Sequence, residues 1–304
     1  MNGVFAVLGE SLMDLLVTPR GTVTARPGGS PLNVAVGLGR LGAPVSLLTR
    51  YGDDAHGRAL AEHLAGSGVR VVGDPCDAFA TSTATAYPDT PGEGTHYEFD
   101  LQWSLAPEVD LPPGTTCLHT GSLATCLEPG AADVRRLIRA WRGRATVSYD
   151  PNCRPALMGQ PQVARGRVEE LVGLADLVKV SAEDLDWLGY GLDYRQVAER
   201  WLSLGASLVV VTMGAEGACA LSRAGETSCA GRKVDVVDTV GAGDAFTAGL
   251  LFALHRRGAL APSSLEGLSG GQFAAVIDEA ASNAADTCTR VGADPPWGRG
   301  RPEE

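Results

Sequence analysis

The residues most able to do chemistry are Asp238-Thr239-Val240-Gly241-Ala242-Gly243-Asp244-Ala245-Phe246, two glycines and two aspartates set before a long apolar run. Gly241 and Gly243 lack Cβ atoms, so a turn built on them can aim several backbone N–H groups at one point. The apolar run predicts a helix from about Ala242 towards Arg257, whose unpaired N-terminal amides and positive dipole end face that point. A phosphate suits such a place. Asp244 falls in the first helical turn, where it can accept the proton of a hydroxyl that attacks the phosphate. An acidic first turn after a tight glycine turn would be the plainer reading. Here, however, Ala245, Phe246, Leu250, Leu251 and Leu254 make the helix apolar nearly all round, which predicts that it is buried and rigid. His255, Arg256 and Arg257 put cations at its far end, which fixes its direction.

Other elements must bring a second reactant to that point. Val4 to Gly9 predicts a buried strand, and Asp14 follows just beyond its end, where ligands of open parallel sheets collect and where a carboxylate can accept bonds from ligand hydroxyls. Residues 28 to 42 open with Gly28 and Gly29, an expected N-cap at Ser30 and Pro31 at the first helical position. Asn33, in that first turn, offers both a donor and an acceptor. Gly37 to Gly42 fits G-x-G-x-x-G, but a helix precedes it and the strand-like run 44 to 49 follows. That order is wrong for a dinucleotide turn, and Gly42 reads as the residue closing the helix. The chain has no G-x-x-x-x-G-K-[ST] motif, which disfavours a P-loop enzyme.

Strand and helix patterns alternate along most of the chain, with two interruptions. Leu15 to Ala25 predicts a hairpin turning near Pro19, Arg20 and Gly21, and residues 79 to 100 hold two alternating runs around Tyr87 to Gly94. Together they predict a small β lid. Tyr97 and Phe99 share one strand face, which suits ligand contact or packing on the main domain equally. Strand 116 to 120, helix 130 to 142 and strand 145 to 149 lead to Asp150-Pro151-Asn152-Cys153-Arg154, where Arg154 suits phosphate and pairing with Asp150 equally. Strand 175 to 180 ends at Ser181, an expected N-cap, with Asp184 in the following turn. Strand 207 to 212 enters the turn Thr212 to Gly217 and then a hairpin around 218 to 230. A last helix is expected over 270 to 286, and a frayed polar tail over 298 to 304.

The nine-residue stretch resembles the C-terminal signature of the ribokinase-like (PfkB) carbohydrate kinases, and Gly28 to Gly42 and Asp150 to Arg154 resemble two further signatures of the same family. The likeness spans nearly the whole chain. It implies one kinase domain over 1–304 with a Rossmann-like three-layer α/β ribokinase-like fold and a small β-sheet lid, its segments about 15–27 and 79–104. It implies Asp244 as catalytic base, the backbone of Gly241, Ala242, Gly243 and Asp244 as anion hole, and Asp14, Gly28, Gly29 and Asn33 as sugar ligands. Thr212, Gly214, Gly217, Thr239, Gly241, Gly243 and Asn283 would line the nucleotide, Asn283 at the adenine. Asp184, standing where many members carry glutamate, would reach Mg²⁺ through water. Asp238 and the end of the last helix would hold a monovalent cation, K⁺. Ser181 and the terminal stretch 288 to 296 look like the fructokinase branch. The resemblance therefore implies an ATP-dependent sugar kinase acting on the primary hydroxyl of fructose, with ribose, 2-keto-3-deoxygluconate, another ketose or a nucleoside as alternatives. A non-catalytic sugar- or nucleotide-binding regulator is the reading from another class. A homodimer through the lid is in keeping with the family.

Composition agrees with a globular enzyme. The 304 residues are 44% hydrophobic, enough for a substantial core, and the formal charge of -11 argues against a general nucleic-acid or anionic-membrane surface. Seven cysteines form no C-x-x-C pair and are odd in number, as in a reduced protein. The first apolar run is too short for a signal sequence, and the expected location is the cytoplasm.

Overall fold

The computed structural model describes residues 4–18, 20–77, 79–90, 94–106 and 108–298. The expected turn at Pro19 and the tail beyond 298 lie outside them, as do residues 91–93 of the second hairpin.

Val4–Leu8 is apolar throughout and pairs in parallel with Thr115–Gly121 on one side and Val45–Leu48 on the other. Around this core the described residues form a nine-stranded sheet. From the Val4–Leu8 strand it continues through Thr115–Gly121, Thr146–Asp150, Leu177–Ser181 and Leu208–Thr212, all parallel. It then closes with the antiparallel hairpin Ala218–Ser222 and Gly225–Cys229. Strands so placed are buried on both faces, which is why Val4–Leu8, Val45–Leu48 and Leu208–Thr212 read as near-continuous apolar runs.

Two buried clusters fill the two faces. One gathers Leu8, Leu118, Tyr149 and Val180 against helices between Gly130 and Leu204, with Trp103, Trp141 and Trp201 as its largest members. The other gathers Phe5, Val7 and Val210 against Ser30–Arg40, Ala242–Arg256 and Gly270–Cys288. The result is the expected three-layer α/β arrangement. Within the second layer the Ala242–Arg256 helix is buried on nearly every side; Phe246, Leu250, Leu251 and Leu254 are each at most 4% exposed. Each such side chain adds roughly 1.5–3 kcal/mol. That burial fixes where the helix N-terminus points.

A separate four-stranded sheet runs in the order Val23–Gly28, Leu12–Val17, Thr83–Thr90, Gly94–Asp100. Asp14 therefore lies inside a strand of this small sheet. The last helix runs to Cys288, two residues past its expected end.

Candidate active site

The Ala242–Arg256 helix is capped by Gly241 at φ 77°, a conformation in which a β-carbon is strained. Even without that strain, a Cβ at Gly241 would come within 2.5 Å of the Ala293 Cβ. The Ala242 N–H turns back to the Thr239 carbonyl at 3.2 Å. The amides of Gly243 and Asp244 are left with no intrahelical acceptor, as at any helix start, and these are the donors that can meet an anion.

Asp244 is 7% exposed and both carboxylate oxygens are engaged from the other end of the chain. Ser30 Oγ donates to Oδ1 at 2.6 Å and Asn33 Nδ2 donates to Oδ2 at 2.9 Å. This corrects one expectation. The N-cap of the Ser30–Arg40 helix is Gly29, at φ 103°, and Ser30 is the first helical residue. The Ser30 hydroxyl is spent on Asp244 instead of on its own helix. Gly29 is a glycine for steric reasons as well, since a Cβ there would stand 2.7 Å from the Glu10 carbonyl oxygen. Burial holds the Asp244 carboxyl above the usual carboxylate range, against the opposing bonds from Ser30 and Asn33. A raised pKa makes the ionised form a stronger proton acceptor.

Asp14 is brought to the same place. Its carboxylate lies against Gly28, where a Cβ would collide with Oδ2, and it senses the charges of both Asp244 and Arg154. Solvent reaches this side chain, yet the surrounding protein pushes its pKa up to about 6, burial first and Asp244 adding to it, with Arg154 opposing. The sequence-predicted set Asp14, Gly28, Gly29, Asn33, Gly241, Gly243 and Asp244 thus forms one site where the small sheet meets the helix start.

Arg154 bonds to Asn152 through both Oδ1 (2.6 Å) and the backbone carbonyl (3.1 Å). It does not pair with Asp150. That carboxylate is taken by Lys179, whose Nζ lies 2.9 Å from Asp150 Oδ2 in an ion pair with side chains 5% and 1% exposed. Sequence reasoning missed Lys179. Its signal was a lone charge in the apolar strand Leu177–Ser181, a position that requires a carboxylate partner. A Cβ at Gly243 would stand 3.0 Å from its Nζ, so this buried cation lies directly behind the glycine turn at the helix start. Burial alone would lower the lysine pKa, but Asp150, with smaller effects from Asp244 and Asp184, raises it above the ordinary value.

Glu10 was missed as well. It is 4% exposed and accepts the Ala124 N–H at 2.8 Å through Oε2, while Oε1 has no partner among the described residues. Burial pushes its carboxyl up to about 7. It holds the turn Ser122–Thr125 against the corner that carries Gly29.

The residues that the family resemblance assigns to the nucleotide stand further out. Thr212 pairs in register with Ser181 at the carboxyl ends of neighbouring strands, and Gly214 and Gly217 form the short turn beyond it. Thr239 is exposed before the helix start. Asn283 donates to the Glu279 carbonyl at 2.8 Å and sits against Gly249, roughly 8 Å along the helix axis from Asp244. Ser181 caps the Ala182–Leu188 helix by accepting the Asp184 N–H at 3.0 Å, and the Asp184 carboxylate accepts the Cys153 N–H at 3.0 Å. Asp238 accepts from Val240 N–H at 3.0 Å and Gly292 N–H at 2.8 Å, tying the irregular segment before the helix to the loop after the last helix. Among the described residues no cluster of three or more His, Cys, Asp or Glu forms a ready metal cage. A divalent ion here would be carried by phosphates and water rather than by the protein alone. Tyr97 and Phe99 stack at 6.1 Å and stay 54% and 36% exposed, so they do not pack on the large sheet. The six described free thiols include no disulfide, and no described helix is long and apolar enough to cross a membrane.

Comparison with known proteins places this geometry. Residues 5–296 match the pfkB family carbohydrate kinase profile. The fructokinase of Klebsiella pneumoniae is 38% identical over 267 residues, covering 85% of this chain and 86% of that one. Among solved structures, the fructokinase of Xylella fastidiosa with bound ATP superposes with a TM-score of 0.86 at 25% identity, covering 96% of this chain and 94% of that one. A Vibrio cholerae O395 fructokinase double mutant, solved with fructose, ADP and a potassium ion, gives a TM-score of 0.78 at 28% identity, with coverage of 96% and 94%.

Proposed function

Because this chain belongs to the pfkB family of carbohydrate kinases, we propose that it transfers the γ-phosphoryl group of ATP to the primary hydroxyl of fructose, giving fructose 6-phosphate and ADP. The observation that carries this reading is the bridge from Ser30 and Asn33 to Asp244. It fixes a buried carboxylate beside Asp14 and beneath the free amides of the helix start, so a base, a hydroxyl-binding group and an anion site converge.

In this reading Asp14, Gly28, Gly29 and Asn33 hold the sugar and orient its hydroxyl towards Asp244. Asp244 takes the proton. The amides of Gly243 and Asp244, with Gly241 and Ala242 shaping the turn, meet the charge that grows on the transferring group, where most of the catalysis lies. Thr212, Gly214, Gly217 and Thr239 follow the phosphates, and Asn283 stands by the base. Mg²⁺ arriving with ATP would be held through water by Asp184 and would supply neutralisation of phosphate charge. Asp238, joining the segment before the helix to the Gly292 loop behind the turn, is the candidate anchor for K⁺.

The chain is then one kinase domain over 1–304, and the segments about 15–27 and 79–104 are its lid, closing over the sugar and excluding water. Leu16, Tyr97 and Phe99 lie on the same face of the small sheet as Asp14 and are exposed. A second copy of the chain is the partner proposed for that face, and sedimentation of the wild type against a Leu16→Glu variant tests it.

The test of the function is ADP release from Mg-ATP across a panel of fructose, ribose, 2-keto-3-deoxygluconate, other ketoses and nucleosides, with and without potassium. Fructose is expected to give the highest kcat/KM. A different best substrate would move the specificity, and ATP binding without turnover on any sugar would favour a binding protein.

A further inference from the structure

Arg26 stands on the Val23–Gly28 strand directly opposite Asp14 on its neighbour. Paired residues of adjacent strands leave a sheet on the same face, so Arg26 and the sugar-side aspartate look the same way. The Arg26 guanidinium crosses to the other wall of the site. Its Nη1 lies 2.8 Å from where a Cβ on Gly292 would stand, and the glycine leaves it room. Gly292 donates its N–H to Asp238, and the next residue, Ala293, is the one that supports Gly241. With about 3.8 Å between neighbouring Cα atoms, these contacts put the guanidinium within roughly 12 Å of the helix start.

Among the described residues Arg26 has no ion pair and no hydrogen bond. Its neighbour in the site, Arg154, is committed to Asn152. An arginine with all its donors unmatched, beside amides aimed at an anion, has the chemistry of a phosphate fork. A merely solubilising arginine needs no glycine opposite it and no place on the inner face.

We propose that Arg26 contacts the transferring γ-phosphoryl group and is a catalytic residue of the reaction. This rests on the kinase reading above. The primary hydroxyl oxygen of the sugar forms its bond to the γ-phosphorus, and its proton passes to Asp244. The bond from that phosphorus to the β,γ-bridging oxygen breaks, and ADP leaves with the electron pair. Charge on the equatorial oxygens is met by the Gly243 and Asp244 amides on one side and by Arg26 on the other. Since Arg26 and Asp14 sit on paired strands, a sugar that orders Asp14 orders the guanidinium too. Phosphoryl transfer is thereby tied to sugar occupancy, and hydrolysis of ATP without sugar is suppressed.

The experiment compares wild type, Arg26→Ala and Arg26→Lys by steady-state kinetics with Mg-ATP and sugar, and by calorimetric binding of ADP alone and of ADP with aluminium fluoride. Arg26→Ala is expected to lose about a hundredfold or more in kcat while KM for the sugar stays within about threefold. It should keep its ADP affinity but lose the extra affinity for the aluminium fluoride complex. Arg26→Lys should be intermediate, and millimolar guanidinium should restore part of the Arg26→Ala rate. An unchanged kcat, or a loss confined to sugar KM with fluoride affinity intact, would make Arg26 a latch on the Gly292 loop and overturn the inference alone. A wild type that releases no ADP with any sugar would overturn the kinase reading and this inference together.

Discussion

Replacing Lys179 by methionine removes one half of the buried pair behind the glycine turn at the start of the Ala242–Arg256 helix. The two side chains are 5% and 1% exposed and 2.9 Å apart, so water does little to screen them. At an effective dielectric of about 20 their attraction is about 6 kcal/mol, which desolvation of several kcal/mol per ion largely offsets. The pair is thus worth little in net, but breaking it is expensive. Lys179→Met strands the Asp150 carboxylate, with an expected loss of about 3–5 kcal/mol. For a chain of this length that is a fall in Tm of about 5–8 °C. Asp150→Asn should cost a similar amount, and the double variant clearly less than the sum, giving a coupling energy of at least about 2 kcal/mol in a urea-unfolding cycle followed by far-UV circular dichroism. The lysine pKa is held above its ordinary value in the fold, so its contribution is fully present below the unfolded pKa. The loss should therefore not vary between about pH 6 and 9. Additive losses, or a Lys179→Met cost below about 1 kcal/mol, would refute the buried pair.

Two further outcomes follow from the carboxylates of the site. The Asp14 pKa is raised to about 6, and under the proposed role the ionised carboxylate accepts sugar hydroxyls through both oxygens and more strongly than the protonated acid, so kcat/KM for sugar should decline as pH falls through about 6. Asp14→Asn should lower kcat/KM for sugar at least about tenfold with little change in KM for ATP, and should remove that acid limb; an unaltered limb would assign it elsewhere. Glu10 is pushed from an ordinary 4.5 up to about 7 in the fold, so the unfolded chain ionises first and the carboxyl costs stability as pH rises between those values. In thermal melts Glu10→Gln should gain on wild type from pH 5 to pH 8, by up to about 3 kcal/mol; a pH-independent difference would show that Glu10 is ionised in the fold at an ordinary pH.

The parts of the site that were legible in the sequence are those carried by short local patterns. Gly241 to Asp244 before an all-apolar helix gave the turn, the helix and its direction, since backbone freedom and burial are properties of adjacent residues. Asn33 was found by its place in a first helical turn, whereas Asp14 rested on the family resemblance, since it lies inside a strand of the small sheet and not beyond a strand end. What local pattern could not give was the partner across the fold. Ser30 reads as a cap because its type and position suit one, and only the approach of Asp244, 214 residues away, redirects its hydroxyl. Arg154 and Asp150 sit four apart in sequence, yet Asp150 faces the second helical layer, where Lys179 waits on the adjacent strand. Glu10 was hidden because its burial depends on the Ser122–Thr125 turn arriving more than a hundred residues later. The Tyr97 and Phe99 face was visible as alternation, but whether anything within the chain covered it was not.

The account stands or falls on Asp244 as the base that takes the sugar's proton. The direct test is turnover of Asp244→Asn with saturating Mg-ATP and fructose, alongside far-UV circular dichroism and calorimetric ATP binding. The amide keeps the shape and can still meet Ser30 and Asn33, so fold and ATP affinity should persist while kcat falls at least about a hundredfold. A variant that folds, binds ATP and turns over near the wild-type rate would contradict the mechanism.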